Sequence, residues 1–315
     1  MLAWLLCAAL TLGGCSLSGA GDAAVVSSEQ SSLEQSSQED SSSENDSRES
    51  SLQESQNQTE GSAEETSGTD ETSSEPENSE KEPEVLRLTV RPGEYFIEIL
   101  ADLSDLLGIP EETLLESAEA MKPDPSVDWQ TGDTEHRTFQ LEGYIAPGEY
   151  EIPEGASAEE AFSVLLGGWG ELIPESMPGE ADERGMTLDE VLIMASIVEY
   201  ESSHDPTGAV KPFVAAVVWN RIEYPMALEM DVTIFYLQEA LGEWRDQADY
   251  DAWYDTYETS SLPAGPINSP SLESLEAVLH PADTNDLFFI YDRDGNYYFA
   301  EDYETHLENV ERYLD

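Results

Sequence analysis

Residues 187–203 read TLDEVLIMASIVEYESS, and this stretch decides how the chain folds. Thr187 followed by Glu190 is a capping box, in which each side chain satisfies the other residue's backbone N–H, so a helix begins here. Leu188, Leu192, Ala195 and Glu199 recur at spacings of four, three and four, which places Glu199 on the face carrying the apolar stripe. Ile193, Met194, Ile197 and Val198 make the other faces apolar too, which predicts a helix buried nearly all round. An ionised carboxylate on such a helix is costly. Glu199 is therefore expected to be paired (Arg221 is one partner), hydrogen-bonded, at an exposed helix end, or neutral through a raised pKa. A carboxyl kept protonated in a cleft can donate to a leaving oxygen.

Working toward the C-terminus, a second apolar helix is expected over residues 210–222, ending in Asn220-Arg221, with Asp231 and Thr233 beyond a short loop. These polar groups either line a cleft beside Glu199 or serve as caps and turns. Residues 262–268, LPAGPIN, carry too much proline and glycine for regular structure. Residues 287–291 and 296–300 are aromatic-rich strands joined around Asp294-Gly295, a hairpin signal. Asp292, Asp294 and Asn296 look like the start of a calcium loop, but Tyr303 stands where the bidentate Glu is required, so a turn is expected. The four His residues lack metal-ligand spacing, and there is neither a Gly-rich phosphate loop nor a Gly-x-Ser-x-Gly elbow. No metal and no cofactor are expected.

Toward the N-terminus, Leu86, Leu88 and Val90 alternate with Arg87 and Thr89, the period of a half-buried strand. Arg91-Pro92-Gly93 ends it, a helix is expected over residues 95–107, Gly108-Ile109-Pro110 breaks the chain, and residues 111–121 resume a helical pattern. Strand, helix, turn and helix within about 40 residues make a compact module over 85–125, which either binds ligand or props a main domain over 126–315.

Residues 16–84 are a Ser/Glu-rich acidic tract with almost no aliphatic residues from Ser27 on, expected to be a disordered tether with a reach of about 45 Å. Residues 1–15 hold an apolar stretch from Leu2 to Leu12, of signal-segment length, that ends in Leu12-Gly13-Gly14-Cys15. That ending resembles the bacterial lipobox, which implies lipidation at Cys15 and a protein held at the outer face of the cell membrane. Cys7 and Cys15 are the only cysteines, so no thiol chemistry is expected of the folded part. The chain carries 69 Asp and Glu against 12 Lys and Arg, a formal charge of -57 that excludes nucleic acid as a partner and argues against attraction to anionic headgroups. Any membrane contact is expected through the lipid.

Several segments together resemble the YceG-like endolytic murein transglycosylases: Leu141-Glu142-Gly143-Tyr144, Ala195-Ser196-Ile197-Val198-Glu199, Trp219-Asn220-Arg221, Asp231 with Thr233, residues 262–267, and the terminal hairpin. The resemblance runs over residues 85–315. It implies an α+β chain, a small LysM-like subdomain followed by an α/β catalytic domain, with Glu199 as the catalytic acid/base. It further implies substrate contacts at Glu142, Glu201, Asn220, Arg221, Asp231, Thr233, Tyr257 and Asn268. The reaction implied is endolytic cleavage of the MurNAc–GlcNAc bond in nascent peptidoglycan strands, leaving 1,6-anhydro-MurNAc ends, with glycan-synthesising enzymes as implied partners. Departures from the family pattern fall at Glu229, Met230, Val232, Asp255, Ala264 and Leu307. Other functions compatible with the anchor and tether are a non-catalytic peptidoglycan-binding lipoprotein and a solute-capturing one, although the repeated βα units of the latter are not visible.

Overall fold

A computed structural model describes residues 84–132, 134–257 and 261–314. The expected signal segment, Cys15 and nearly all of the tether lie outside the described residues. Strand β1 (Val85–Val90) leads into α1 (Phe96–Leu107) and α2 (Glu111–Glu119), then a long irregular segment and strand β2 (Gly148–Pro153). Helices α3 (Ala158–Leu166), α4 (Gly168–Leu172), α5 (Met177–Glu183), α6 (Leu188–Glu201), α7 (Lys211–Glu223), α8 (Asp231–Glu239), α9 (Asp251–Tyr254) and α10 (Leu272–Leu279) follow. The hairpin β3 (Phe288–Tyr291) and β4 (Tyr297–Ala300) precedes the last helix, α11 (Tyr303–Tyr313).

Strand β1 buries Leu88 and Val90 and exposes Arg87 and Thr89, as its alternation requires. Its partner is β2, antiparallel in the register Val85↔Pro153 to Val90↔Gly148, so the strand that completes the first module lies past residue 125. Helix α1 closes on Gly108 in the left-handed region at φ 67, and Ile99, Leu100 and Leu103 pack inward from it.

The expected α+β mixture of helix and sheet is present, while the α/β character expected of the catalytic domain is corrected. Among the described residues both sheets are two-stranded and antiparallel, and helices supply most of the core. The physical reason is α6. Its residues Leu188, Asp189 and Val191–Val198 are all buried, and a helix apolar on every face is covered by other helices, here α5, α7, α8 and α10. Thr187 caps it by accepting from Glu190 N at 3.1 Å, while the Glu190 carboxylate accepts from Thr187 N at 2.8 Å. Of the two acids in its first turn the buried one, Asp189, accepts from Arg137 at 2.5 Å and from the Tyr144 hydroxyl, a buried set that pins residues 137–144 to the start of α6. Arg137 also donates to Ala264 O at 3.1 Å, which extends the same anchor to the 262–268 loop.

No helix among the described residues is long and apolar enough to cross a membrane.

Candidate active site

The last turn of α6 carries two glutamates on different faces, and their surroundings set them to different tasks. Glu199 turns toward the start of α10. Its Oε2 accepts from Lys211 Nζ at 2.8 Å, Ser271 N at 3.0 Å, Ser271 Oγ at 2.5 Å and Ser274 Oγ at 2.6 Å. Burial pushes its pKa up, but the bonds from Lys211, Ser271 and Ser274 outweigh it and hold the carboxyl below its ordinary value. Glu199 is thus an ionised carboxylate that caps α10 through space, where the helix dipole also favours a negative charge. Of the expected alternatives, the structure shows Glu199 paired and hydrogen-bonded and not held neutral by a raised pKa; the one correction is the partner, which is Lys211 instead of Arg221. Lys211 opens α7, which brings its ammonium across to α6.

Glu201, two residues on, faces Asp231 and Arg221. Burial first, and then the charge of Asp231, raise its pKa to about 8, against the lowering effect of Arg221. The residue retains partial solvent exposure. Asp231 opens α8 and accepts from the hydroxyl of Tyr257, itself half exposed. Hairpin strand β4 reaches the same turn of α6, where Tyr297 donates to Glu201 O at 2.6 Å. The arrangement sets a carboxyl of raised pKa near a second acidic side chain, the kind of pairing from which general acid chemistry is built.

The other expected substrate contacts divide into those near this pair and those locked in the interior. Arg221 lies near Glu201 but is buried, donating to Leu287 O at 2.7 Å, Leu228 O at 2.6 Å and Glu229 at 3.4 Å, so it positions the site from behind. Asn220 gives its amide hydrogens to Thr284 O and Asp286 O, both at 2.9 Å, which fastens α7 to the approach to β3. Thr233 is fully buried, donating to Met230 O at 3.0 Å and packed on Thr256, and Asn268 is fully buried, donating to Ser196 O at 2.8 Å. Glu142 is buried too; its carboxyl accepts from Phe96 N and from the Tyr236 hydroxyl, both at 3.0 Å. For Thr233, Asn268 and Glu142 direct contact with substrate is corrected to a structural role, because no solvent-facing atom remains for it. Next to Glu142, Gly143 adopts φ +78, and a Cβ there would lie 2.5 Å from Cβ of Pro266, so the two loops touch only because that side chain is missing.

The departures from the family pattern are accommodated. Met230 is buried, Asp255 accepts from Tyr257 N at 2.9 Å, and Ala264 donates its N–H to Trp253 O at 3.1 Å, a bond that proline lacks. Leu307 stays exposed on α11.

The model of the YceG-like family matches residues 45–312. An endolytic murein transglycosylase of Streptococcus pneumoniae (strain D39) is 26% identical over 257 residues, covering 75% of this chain and 46% of that protein. One from Bacillus subtilis (strain 168) is 26% identical over 245 residues, covering 72% of this chain and 65% of that protein. The chain therefore spans about half the length of the pneumococcal relative. The crystal structure of a yceG-like protein from Listeria monocytogenes matches with a TM-score of 0.60 at 24% identity, over 71% of this chain and 75% of that one, a likeness of fold.

Proposed function

The chain belongs to the YceG-like family, and from that premise we propose that it is an endolytic peptidoglycan lytic transglycosylase whose acid/base is Glu201. The observation that carries the residue assignment is the contrast within one helical turn. Glu199 is tied by four donors including Lys211, whereas Glu201 lies beside Asp231 with its pKa raised to about 8.

The chemistry follows from that protonation state. The neutral Glu201 carboxyl donates its proton to the oxygen bridging MurNAc and GlcNAc as the bond from that oxygen to C1 of MurNAc breaks. Positive charge develops on C1 and the ring oxygen, and the Asp231 carboxylate is the nearby charge that favours it. The C6 hydroxyl of the same sugar then closes on C1 and passes its proton to Glu201, which regenerates the acid and leaves a 1,6-anhydro end. No water enters, so no second carboxylate is required as a base, unlike in two-carboxylate hydrolases. The high pKa serves both halves: it keeps the proton in place before bond cleavage and makes the resulting carboxylate a competent base afterwards.

The remaining parts of the reading rest on the sequence and on the family. The β1–α1–α2–β2 unit is taken as LysM-like because two helices sit between a pair of antiparallel strands. Cys15, in Leu12-Gly13-Gly14-Cys15, carries a lipid that holds the enzyme at the extracytoplasmic face of the membrane, and the acidic tract spaces the domain from it. Nascent strands and the enzymes that synthesise them are the partners. The test is mass spectrometry of glycan strands after incubation with the protein. Anhydro-MurNAc ends are expected; reducing ends alone would make it a hydrolase, and uncut but bound strands a non-catalytic binding protein.

A further inference from the structure

The short junction between β1 and α1 touches three of the pieces that build the active centre. Its backbone pairs with the loop before α10: Gly93 N donates to Ser269 O at 2.8 Å, and Ser269 N donates to Glu94 O at 2.9 Å. Ser269 stands two residues ahead of Ser271, one of the donors that fix Glu199. The next residue, Tyr95, is buried, with its ring stacked on Tyr200 at 6.5 Å and an interplanar angle of 18°, and edge-on to Tyr236 at 5.8 Å. Tyr200 sits between Glu199 and Glu201 on the last turn of α6, and Tyr236 belongs to α8, the helix that opens with Asp231. Phe96 N then donates to Glu142, whose other oxygen accepts from Tyr236, so the start of α1 and the middle of α8 share one buried carboxyl.

We propose that Tyr95 is a positioning residue for the transglycosylase reaction: the first module reaches into the catalytic domain through this ring and sets the relative placement of Glu201 and Asp231. This rests on the assignment of Glu201 above. The β1–α1 junction is thereby part of the catalytic apparatus and not only a means of holding substrate. The ring meets both Tyr200 and Tyr236, whereas the hydroxyl adds a hydrogen bond to Tyr200 and reaches Glu239 at 3.4 Å, so phenylalanine keeps the contacts that span α6 and α8. Aromatic contacts of this kind are directional, and removing one frees two helices to shift by the fraction of an ångström that proton transfer does not tolerate.

The test compares Tyr95→Leu, Tyr95→Phe and a control, Phe162→Leu, by steady-state kinetics on glycan strands at a temperature where all are folded. Phe162 is buried against Phe96 at 6.2 Å but touches neither Tyr200 nor Tyr236 through its ring. Tyr95→Leu is expected to lower kcat at least ten-fold with KM within two-fold of the wild type, Tyr95→Phe to restore most of the rate, and Phe162→Leu to lose thermal stability while keeping kcat. The inference is overturned if Tyr95→Leu keeps the wild-type kcat, if its loss lies in KM, or if Phe162→Leu loses kcat equally. A wild-type protein that makes no anhydro ends would instead refute the proposed reaction, a result distinct from any of these.

Discussion

Replacing Lys211 with methionine removes one ammonium, keeps most of the side-chain volume, and strands the Glu199 carboxylate. Both partners are only 11% exposed, so the pair is an interior one. Removing one member of a buried ion pair costs about 3–5 kcal/mol when nothing else compensates. Here Ser271 N, Ser271 Oγ and Ser274 Oγ still donate to the same oxygen, and the start of α10 still faces it. Those donors and the helix dipole retain part of the compensation, leaving an expected loss of about 2–3 kcal/mol at pH 7. The pH dependence supplies the sharper check. In the wild type the Glu199 pKa lies below its ordinary value of 4.5, so its contribution is present above that pH and fades as pH falls through the folded-state value. Without Lys211, burial dominates and the pKa rises, so the variant recovers stability in acid, where the carboxyl becomes neutral. Urea unfolding followed by the fluorescence of the six tryptophans should show the deficit large at pH 8 and small near pH 4.5, with Glu199→Gln in the same chain removing most of it. A deficit below about 1 kcal/mol, or one equal at both pH values, would refute the reading of Glu199 as a buried ionised cap.

Further outcomes follow from the same geometry. Because Glu201 must carry its proton to act, kcat/KM is expected to fall as pH rises through about 8, and Asp231→Asn, which removes a charge that raises that pKa, should move this limb to lower pH; an unmoved limb would sever Glu201 from Asp231. The folded pKa of Glu201 is about 8 against an ordinary 4.5, so the stability it allows is full below 4.5 and is lost as pH rises toward 8. Glu201→Gln should therefore stabilise the protein by about 2–3 kcal/mol at pH 7 and by little near pH 4, and destabilisation by urea at pH 7 would contradict this. Gly143→Ala combines a left-handed backbone with a Cβ 2.5 Å from Pro266 Cβ, and a loss of about 2–4 kcal/mol in urea unfolding is expected, whereas a loss under about 1 kcal/mol would mean the loops separate easily.

What could be read in advance was what the chain states locally. The capping box at Thr187 and Glu190, the stripes of α1, α6 and α7, and the Asp294-Gly295 turn are contained in a few adjacent residues each, and those elements form within a residue or two of the expected ends. Helix α3 carries the same kind of box, Ser157 with Glu160, and was open to the same rule. Helix α10 has Ser271 at its N-cap, but that side chain makes no cap bond to its own helix, and the backbone N–H there is taken by Glu199, 72 residues away, which nothing local announces. The pairing of β1 with β2 is likewise a long-range event that crosses two helices.

The site was legible to the same degree. Periodicity correctly placed Glu199 on the apolar face of α6, and that placement is why it ends in an ion pair. The difference between Glu199 and Glu201 comes from Lys211, Ser271 and Ser274 on one side and Asp231 and Arg221 on the other, none of which adjoins α6 in sequence. The family resemblance implied substrate contacts at Glu142, Thr233 and Asn268, but their polar atoms face the interior, and only the fold reveals that.

The most direct test of the account sets Glu201→Gln beside Glu199→Gln in single-turnover cleavage of glycan strands, with both variants verified as folded. Glu201→Gln is expected to form no anhydro-MurNAc ends, while Glu199→Gln is expected to be less stable but to turn over within about ten-fold of the wild type, a loss of no more than about 1.4 kcal/mol in transition-state stabilisation. Cleavage that persists in Glu201→Gln and vanishes in a folded Glu199→Gln would contradict this expectation and return the acid/base role to Glu199.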